Sequence, residues 1–117
     1  MFSIFNDNNV SLYIGAHMHQ YERLYPYYEG KFSKKESPYE NEEGLVSIVE
    51  AAAPNELGLV EIWYPKLYFS VTNTHNVTGF GLLKSYLQGE TNNIVYEHYK
   101  TTSFTEAFDK VEIIRTF

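Results

Sequence analysis

The last third of the chain limits the possible folds most. Residues 80–87, 93–99 and 111–117 are three runs rich in aromatic and β-branched side chains, and Gly89-Glu90 separates the first two. Runs of this length joined by short polar connections read as antiparallel strands. Eleven Tyr, eight Phe and one Trp make the chain 17% aromatic, which favours strands over helices. Residues 10–15 and 45–49 read as two more strands, and residues 105–109 as a polar loop. With 117 residues the chain suits one domain, burying roughly two-thirds of its unfolded surface. No repeat, low-complexity tract or heptad pattern is present. The expectation is a mostly β domain.

Between these strands the character changes. Residues 16–24 read as a turn and its continuation. From Tyr25 to Gly44, Pro26, Gly30, Pro38 and the acidic group Glu40, Glu42 and Glu43 mark an irregular polar excursion. Pro54 and Gly58 bound the alanine run 51–53 too tightly for a helix, so it reads as a small-residue loop. A net charge of −6 argues against nucleic acid as a partner. It does not argue against a small phosphorylated substrate, because metal ions can supply local positive charge. There is no cysteine, so disulfides and thiol catalysis are excluded. No run is long and apolar enough for a membrane span. The first ten residues have neither a basic nor an apolar region, so they are not a signal peptide. Two sequons occur. Asn9-Val10-Ser11 runs into a strand, whereas Asn76-Val77-Thr78 lies in a polar stretch and makes Asn76 the candidate glycosylation site if the protein is secreted.

The chemistry concentrates at Gly15-Ala16-His17-Met18-His19-Gln20-Tyr21-Glu22-Arg23, directly after the strand Leu12-Tyr13-Ile14. A strand that delivers two imidazoles at its C-terminal end places them where open sheets bind ligands. Residues two apart in a strand share a face, and imidazole is a good ligand for zinc or iron. A chance His-x-His on the surface fits the same spacing. Two ligands do not finish a catalytic metal site. His75 lies in a polar stretch, His98 reads as a cross-strand packing residue, and Asp7 and Asp109 are the only aspartates. Glu22 and Arg23 read either as a surface ion pair or as groups that orient ligand imidazoles. Tyr21 reads either as a buried wall or as a flank of the substrate. A nucleophile elbow, a P-loop and a dinucleotide fingerprint are all absent.

Residues 15–23 with Tyr25-Pro26 resemble the last metal-binding motif of purple acid phosphatases, which are calcineurin-like metallophosphoesterases. Later segments keep the family's order: 46–58 resembles the strand and small-residue loop after that motif, Gly79-Phe80-Gly81-Leu82-Leu83 the next Gly-x-Gly strand, and 95–99 the aromatic strand near the C-terminus. The resemblance covers residues 9–117. It implies an α/β class of fold, the C-terminal portion of a metallophosphoesterase β-sandwich with mixed sheets flanked by helices, here mostly β and incomplete. It implies hydrolysis of phosphate monoesters by a dinuclear centre of Fe(III) and a divalent Zn, Mn or Fe in the parent enzyme. His17 would ligate the divalent metal and His19 the ferric ion, with Tyr21, Glu22 and Arg23 in support and no catalytic residue of this chain's own. The implied partners are a small phosphorylated substrate, the missing N-terminal part of the catalytic domain and, in the parent, a second subunit. The implied location is secreted, vacuolar or lysosomal. Three departures stand out. Ala16, Ala51 and Pro54 occupy positions where the family usually has glycine, and a positive φ at Ala16 would cost about 1 kcal/mol.

Three readings are open. The chain is a metallophosphatase fragment, inactive alone. Or it is a truncated, catalytically inactive metallophosphoesterase-like module with a structural or binding role. Or it is a two-histidine mononuclear metal binder completed by Glu22 or water. In each, the strand at residues 10–14 is expected to expose an edge prone to association.

Overall fold

The chain opens on a helix that its strand-rich composition does not announce. The computed structural model describes residues 2–16, 20–41, 44–50, 68–74 and 78–116. Helix α1 (Phe2–Asp7) is only six residues long and is closed by the asparagines just after it. Asn9 adopts φ 55, its N–H donates to the Asn6 carbonyl at 3.1 Å, and the Val10 N–H donates to the Phe5 carbonyl at 2.9 Å. These two bonds around a left-handed residue form a Schellman C-cap, a position asparagine tolerates. The Phe5 ring stacks on Tyr13 at 5.5 Å, and Asn6 Nδ2 donates to the Tyr27 carbonyl at 3.1 Å, so the short helix is held by tertiary contacts.

The strands in chain order are β1 (Leu12–Gly15), β2 (Tyr21–Leu24), β3 (Tyr27–Tyr28), β4 (Lys31–Phe32), β5 (Tyr39–Glu40), β6 (Val46–Glu50), β7 (Ser70–Asn73), β8 (Gly79–Gln88), β9 (Thr91–Lys100) and β10 (Asp109–Thr116). They form a sheet ordered β1-β6-β2-β7, a second ordered β5-β10-β9-β8, and the small β3–β4 hairpin. The first sheet is mixed: β1 runs parallel to β6, and β2 is antiparallel to both β6 and β7. In the second, β8, β9 and β10 form an antiparallel meander, and β5 joins parallel to β10. Sequence therefore anticipates the meander, while β2, β5 and the hairpin replace what reads as turn or irregular chain, and β7 forms in a stretch with no sequence assignment. Asp109 opens β10 and does not end the preceding loop.

Both two-residue hairpin turns have a cause in backbone chemistry. Glu29 and Gly30, with φ 45 and 85, link β3 to β4, and two positive φ values are what a type I′ turn needs. Gly89, with φ 61, takes the first central position between Gln88 and Thr91, where a type II′ turn favours glycine.

The core lies between the sheets. Tyr21, Val46 and Ile48 from the first meet Tyr39, Tyr96, Val111 and Ile113 from the second. In β10, Val111 and Ile113 are buried and alternate with half-buried Glu112, the period of a half-covered strand. Strand β1 packs against the second sheet. Arg115 of β10 donates to Ser11 Oγ at 3.3 Å, while Leu12 and Ile14 share an open apolar cleft with Ile94 of β9 and with Leu83 and Ser85 of β8. Ser11 and β1 thus lie against β8, β9 and β10 of the second sheet.

Candidate functional site

Strand β2 places the side chains on which a site can be built. Its register against β6 sets Tyr21 opposite Glu50 and Arg23 opposite Ile48. Alternation sends Tyr21 and Arg23 into the space between the sheets, both buried, and Glu22 to the other face. Glu22 accepts a hydrogen bond from Ser70 Oγ of β7 at 2.7 Å. Glu22 and Arg23 are therefore not a surface ion pair. The carboxylate on Arg23 comes from Asp109, 86 residues further along.

That pair is bidentate. Arg23 Nε donates to Asp109 Oδ2 at 2.7 Å and Nη2 to Oδ1 at 3.0 Å, the fork geometry that suits guanidinium and carboxylate. Tyr21 donates its hydroxyl to Asp109 Oδ2 at 2.6 Å. Nη1 of Arg23 lies 3.4 Å from the Tyr39 hydroxyl, which donates to the Lys35 carbonyl at 3.0 Å. Burial works to raise the Asp109 carboxyl, but the Arg23 guanidinium and the Tyr21 hydroxyl outweigh it and hold the group below the usual carboxylate range. Burial, with the Asp109 carboxylate beside it, pushes the Tyr21 phenol well above its ordinary value. Burial likewise raises Tyr39.

A second cluster joins the first through ring stacking. Tyr21 lies on His98 with centroids 4.0 Å apart and planes 12° from parallel, and both residues have 0% exposure. His98 Nδ1 is 2.8 Å from Glu50 Oε2, and Tyr96 donates to the same oxygen at 2.8 Å. Burial, then the bond to Glu50, raises the Tyr96 phenol. Gly79 and Gly81 of β8 make the room. A Cβ at Gly81 would overlap the Tyr96 hydroxyl and stand 3.0 Å from Glu50 Oε2, and one at Gly79 would stand 2.8 Å from the His98 ring. Three buried atoms, Glu50 Oε1, His98 Nε2 and Gln20 Oε1, have no hydrogen-bond partner among the described residues.

His17 and His19 lie outside the described residues, as do Asn76, His75 and the alanine run 51–53. Ala16 is described and is not among the positive-φ residues Asn9, Glu29 and Asn41, so the cost that a left-handed alanine would carry does not arise there. Sequence reasoning missed Glu50 and Asp109 as partners. The signal that could have found the second cluster was Gly-x-Gly inside a strand, which marks a close approach by another group. Here Gly81 sits directly opposite His98.

No family model and no curated protein matches the chain. A solved structure does: purple acid phosphatase PPD1, isolated from yellow lupin (Lupinus luteus) seeds, with a TM-score of 0.74 and 21% identity. The alignment covers 97% of this chain and 19% of that one, so the chain spans about a fifth of the length of its match. The fold resembles part of a metallophosphoesterase β-sandwich, mostly β, with mixed sheets and little helix.

Among the described residues the metallophosphoesterase-like frame does not show the expected metal cluster. Among the described residues no three His, Cys, Asp or Glu side chains gather into a group that could hold a metal ion. The expectation of phosphate-monoester hydrolysis at a dinuclear iron and divalent-metal centre to which this chain contributes is therefore corrected. The physical reason is how the polar groups are used. Asp109 is taken by Arg23 and Tyr21, and Glu50 by His98 and Tyr96. A catalytic metal site instead needs about three ligands converging on an open position. What this arrangement does is join the sheets. No helix among the described residues is long and apolar enough to cross a membrane.

Proposed function

We propose that this chain is a catalytically inactive metallophosphoesterase-like module, distantly related to purple acid phosphatases, with a structural or binding role. One observation supports the reading above the others: half-buried Asp109 and Glu50 and buried His98 lie between the sheets and are bound to one another or to Arg23, Tyr21 and Tyr96. The module's polar residues work as sheet-to-sheet ties, and the resemblance to the lupin enzyme is one of scaffold. Among the described residues no dinuclear centre is formed.

The test uses the full chain. It is incubated separately with zinc, manganese and iron salts, desalted, and analysed for bound metal and for hydrolysis of p-nitrophenyl phosphate. The expected result is well under one metal per chain and a rate equal to that of the His17→Ala/His19→Ala double variant. Stoichiometric metal together with turnover that the double variant loses would overturn the reading.

A further inference from the structure

Most cations among the described residues have a partner for their charge. Arg23 is forked onto Asp109, Lys84 bonds Glu97, and Lys110 bonds Glu112. Lys34 and Lys100 lie over the rings of Tyr68 and Phe108. Arg115 of β10 differs. It is half-buried, and its one hydrogen bond among the described residues is a long one, from Nε to the neutral Ser11 hydroxyl at 3.3 Å. The Nη1 and Nη2 groups, which carry most of the guanidinium's N–H donors, have no acceptor among those residues. Donors drawn partly out of water without an acceptor are unfavourable, and such groups are normally paired.

Arg115 lines a cavity of about 40 Å³. The other walls are Asn6 of α1, Asn9 and Val10 of its C-cap, Tyr28 of the β3–β4 hairpin and Gly44 ahead of β6. Among the described residues no Asp or Glu lines it. Two of the walls are fixed. Asn6 is held at both ends of its amide, Nδ2 donating to the Tyr27 carbonyl at 3.1 Å and Oδ1 accepting from the Glu29 N–H at 3.4 Å. Gly44 has φ 121, and a Cβ there would stand 3.1 Å from the Tyr27 carbonyl oxygen and 3.3 Å from Pro26 Cβ, so glycine suits this close approach. A water needs about 10–15 Å³ of such space, so the cavity holds about three waters or one group of similar size.

We infer that this cavity binds a small monocarboxylate, with Arg115 as its anchor. Because Nε is turned to Ser11, the Nη1 and Nη2 pair is the free side of the guanidinium, and the two coplanar oxygens of a carboxylate match that fork. The charge count agrees. One cation lines the cavity, so one negative charge is neutralised there, whereas a dianion such as sulfate would add an excess charge to a chain whose net charge is already −6. Val10 and Tyr28 supply apolar surface for a short carbon chain, and Asn9 supplies a second polar group. The ligand class is therefore a short-chain monocarboxylate, of which acetate is the simplest. Ser11 adjoins the first residue of β1, whereas the histidine motif begins at Gly15, its last. The cavity thus sits at the other end of that strand from the motif.

The full chain, labelled with nitrogen-15, is titrated with sodium acetate at neutral pH and constant ionic strength, and in parallel with sodium sulfate and sodium chloride. Acetate is expected to saturate with a Kd on the order of 1–10 mM, as suits a ligand of so few atoms. The shifts are expected to centre on the Arg115 Nε–H and on the backbone amides of Asn9, Val10, Ser11 and Gly44. Arg115→Gln is expected to weaken acetate roughly ten-fold or more, and Arg115→Lys, which keeps the charge and loses the fork, about five-fold, with circular dichroism unchanged in both. Sulfate is expected to bind roughly ten-fold more weakly than acetate. No saturable shift with acetate in the wild type overturns the inference, whatever the variants do. So do shifts that Arg115→Gln leaves intact, and sulfate binding as tight as acetate, which marks a merely cationic surface. Should neither variant fold, acetate shifts that saturate away from the Arg115 Nε–H overturn it. None of these outcomes bears on metal content or hydrolysis, so this inference and the non-catalytic reading fail separately.

Discussion

Asp109→Asn tests the view that the buried polar groups tie the sheets together. Arg23 has 4% and Asp109 11% of its side chain exposed, so the pair is largely shielded from water. Removing one partner of a buried ion pair costs about 3–5 kcal/mol, because the other charge is left uncompensated. Asparagine keeps one acceptor oxygen for Tyr21 or Arg23, which places the expected loss near 3 kcal/mol. Set against a domain stability of about 5–15 kcal/mol, that loss is large. Replacing the whole set by apolar residues is a different perturbation. The triple variant Tyr21→Phe/Arg23→Met/Asp109→Leu leaves no orphaned charge or hydroxyl, and is expected to lie within about 2 kcal/mol of wild type. Urea unfolding followed by circular dichroism measures both variants. The pH profile supplies a second readout. Asp109 is held below its unfolded value, so its contribution is complete above the unfolded carboxylate pKa and fades as pH falls through that value toward the folded one. Wild type is expected to lose stability in that acid window more steeply than Asp109→Asn. A loss under about 1 kcal/mol for Asp109→Asn, or a triple variant less stable than the single, would refute the account of these groups as charge-paired ties.

Other outcomes rest on particular contacts. Gly81→Ala places a methyl on the Tyr96 hydroxyl, so Tyr96 must leave Glu50, and thermal unfolding is expected to report a loss of about 2–4 kcal/mol from overpacking and the broken bond. Tyr96→Phe keeps the ring and removes only the donor to Glu50, and the same assay should show a smaller loss of about 1–2 kcal/mol. At the C-cap of α1, Asn9→Ala must hold φ 55 with a Cβ and is expected to lose about 1 kcal/mol, whereas Asn9→Gly should be near neutral in parallel urea titrations.

Much of the strand content was legible because its cause is local. Runs of aromatic and β-branched residues over β9 and β10 favour extended chain locally, and Gly89 marks the turn between β8 and β9 by its backbone freedom alone. The elements that escaped a sequence reading lack a local cause of that strength. Helix α1 is shorter than an isolated helix can sustain, and it depends on Asn9, Tyr13 and Tyr27. Strand β2 carries Tyr-Glu-Arg-Leu, a pattern that becomes a strand once β6 and β7 flank it. The polar network escaped for a related reason. Sequence showed an arginine, a tyrosine and a histidine without their acceptors, because Asp109 lies 86 residues from Arg23 and Glu50 lies 48 from His98. Residue type and spacing determined which segments extend and which turn. Only the packing of two sheets decided that these charges meet each other, since a charge removed from water takes whichever partner the packing brings within reach, at any separation along the chain.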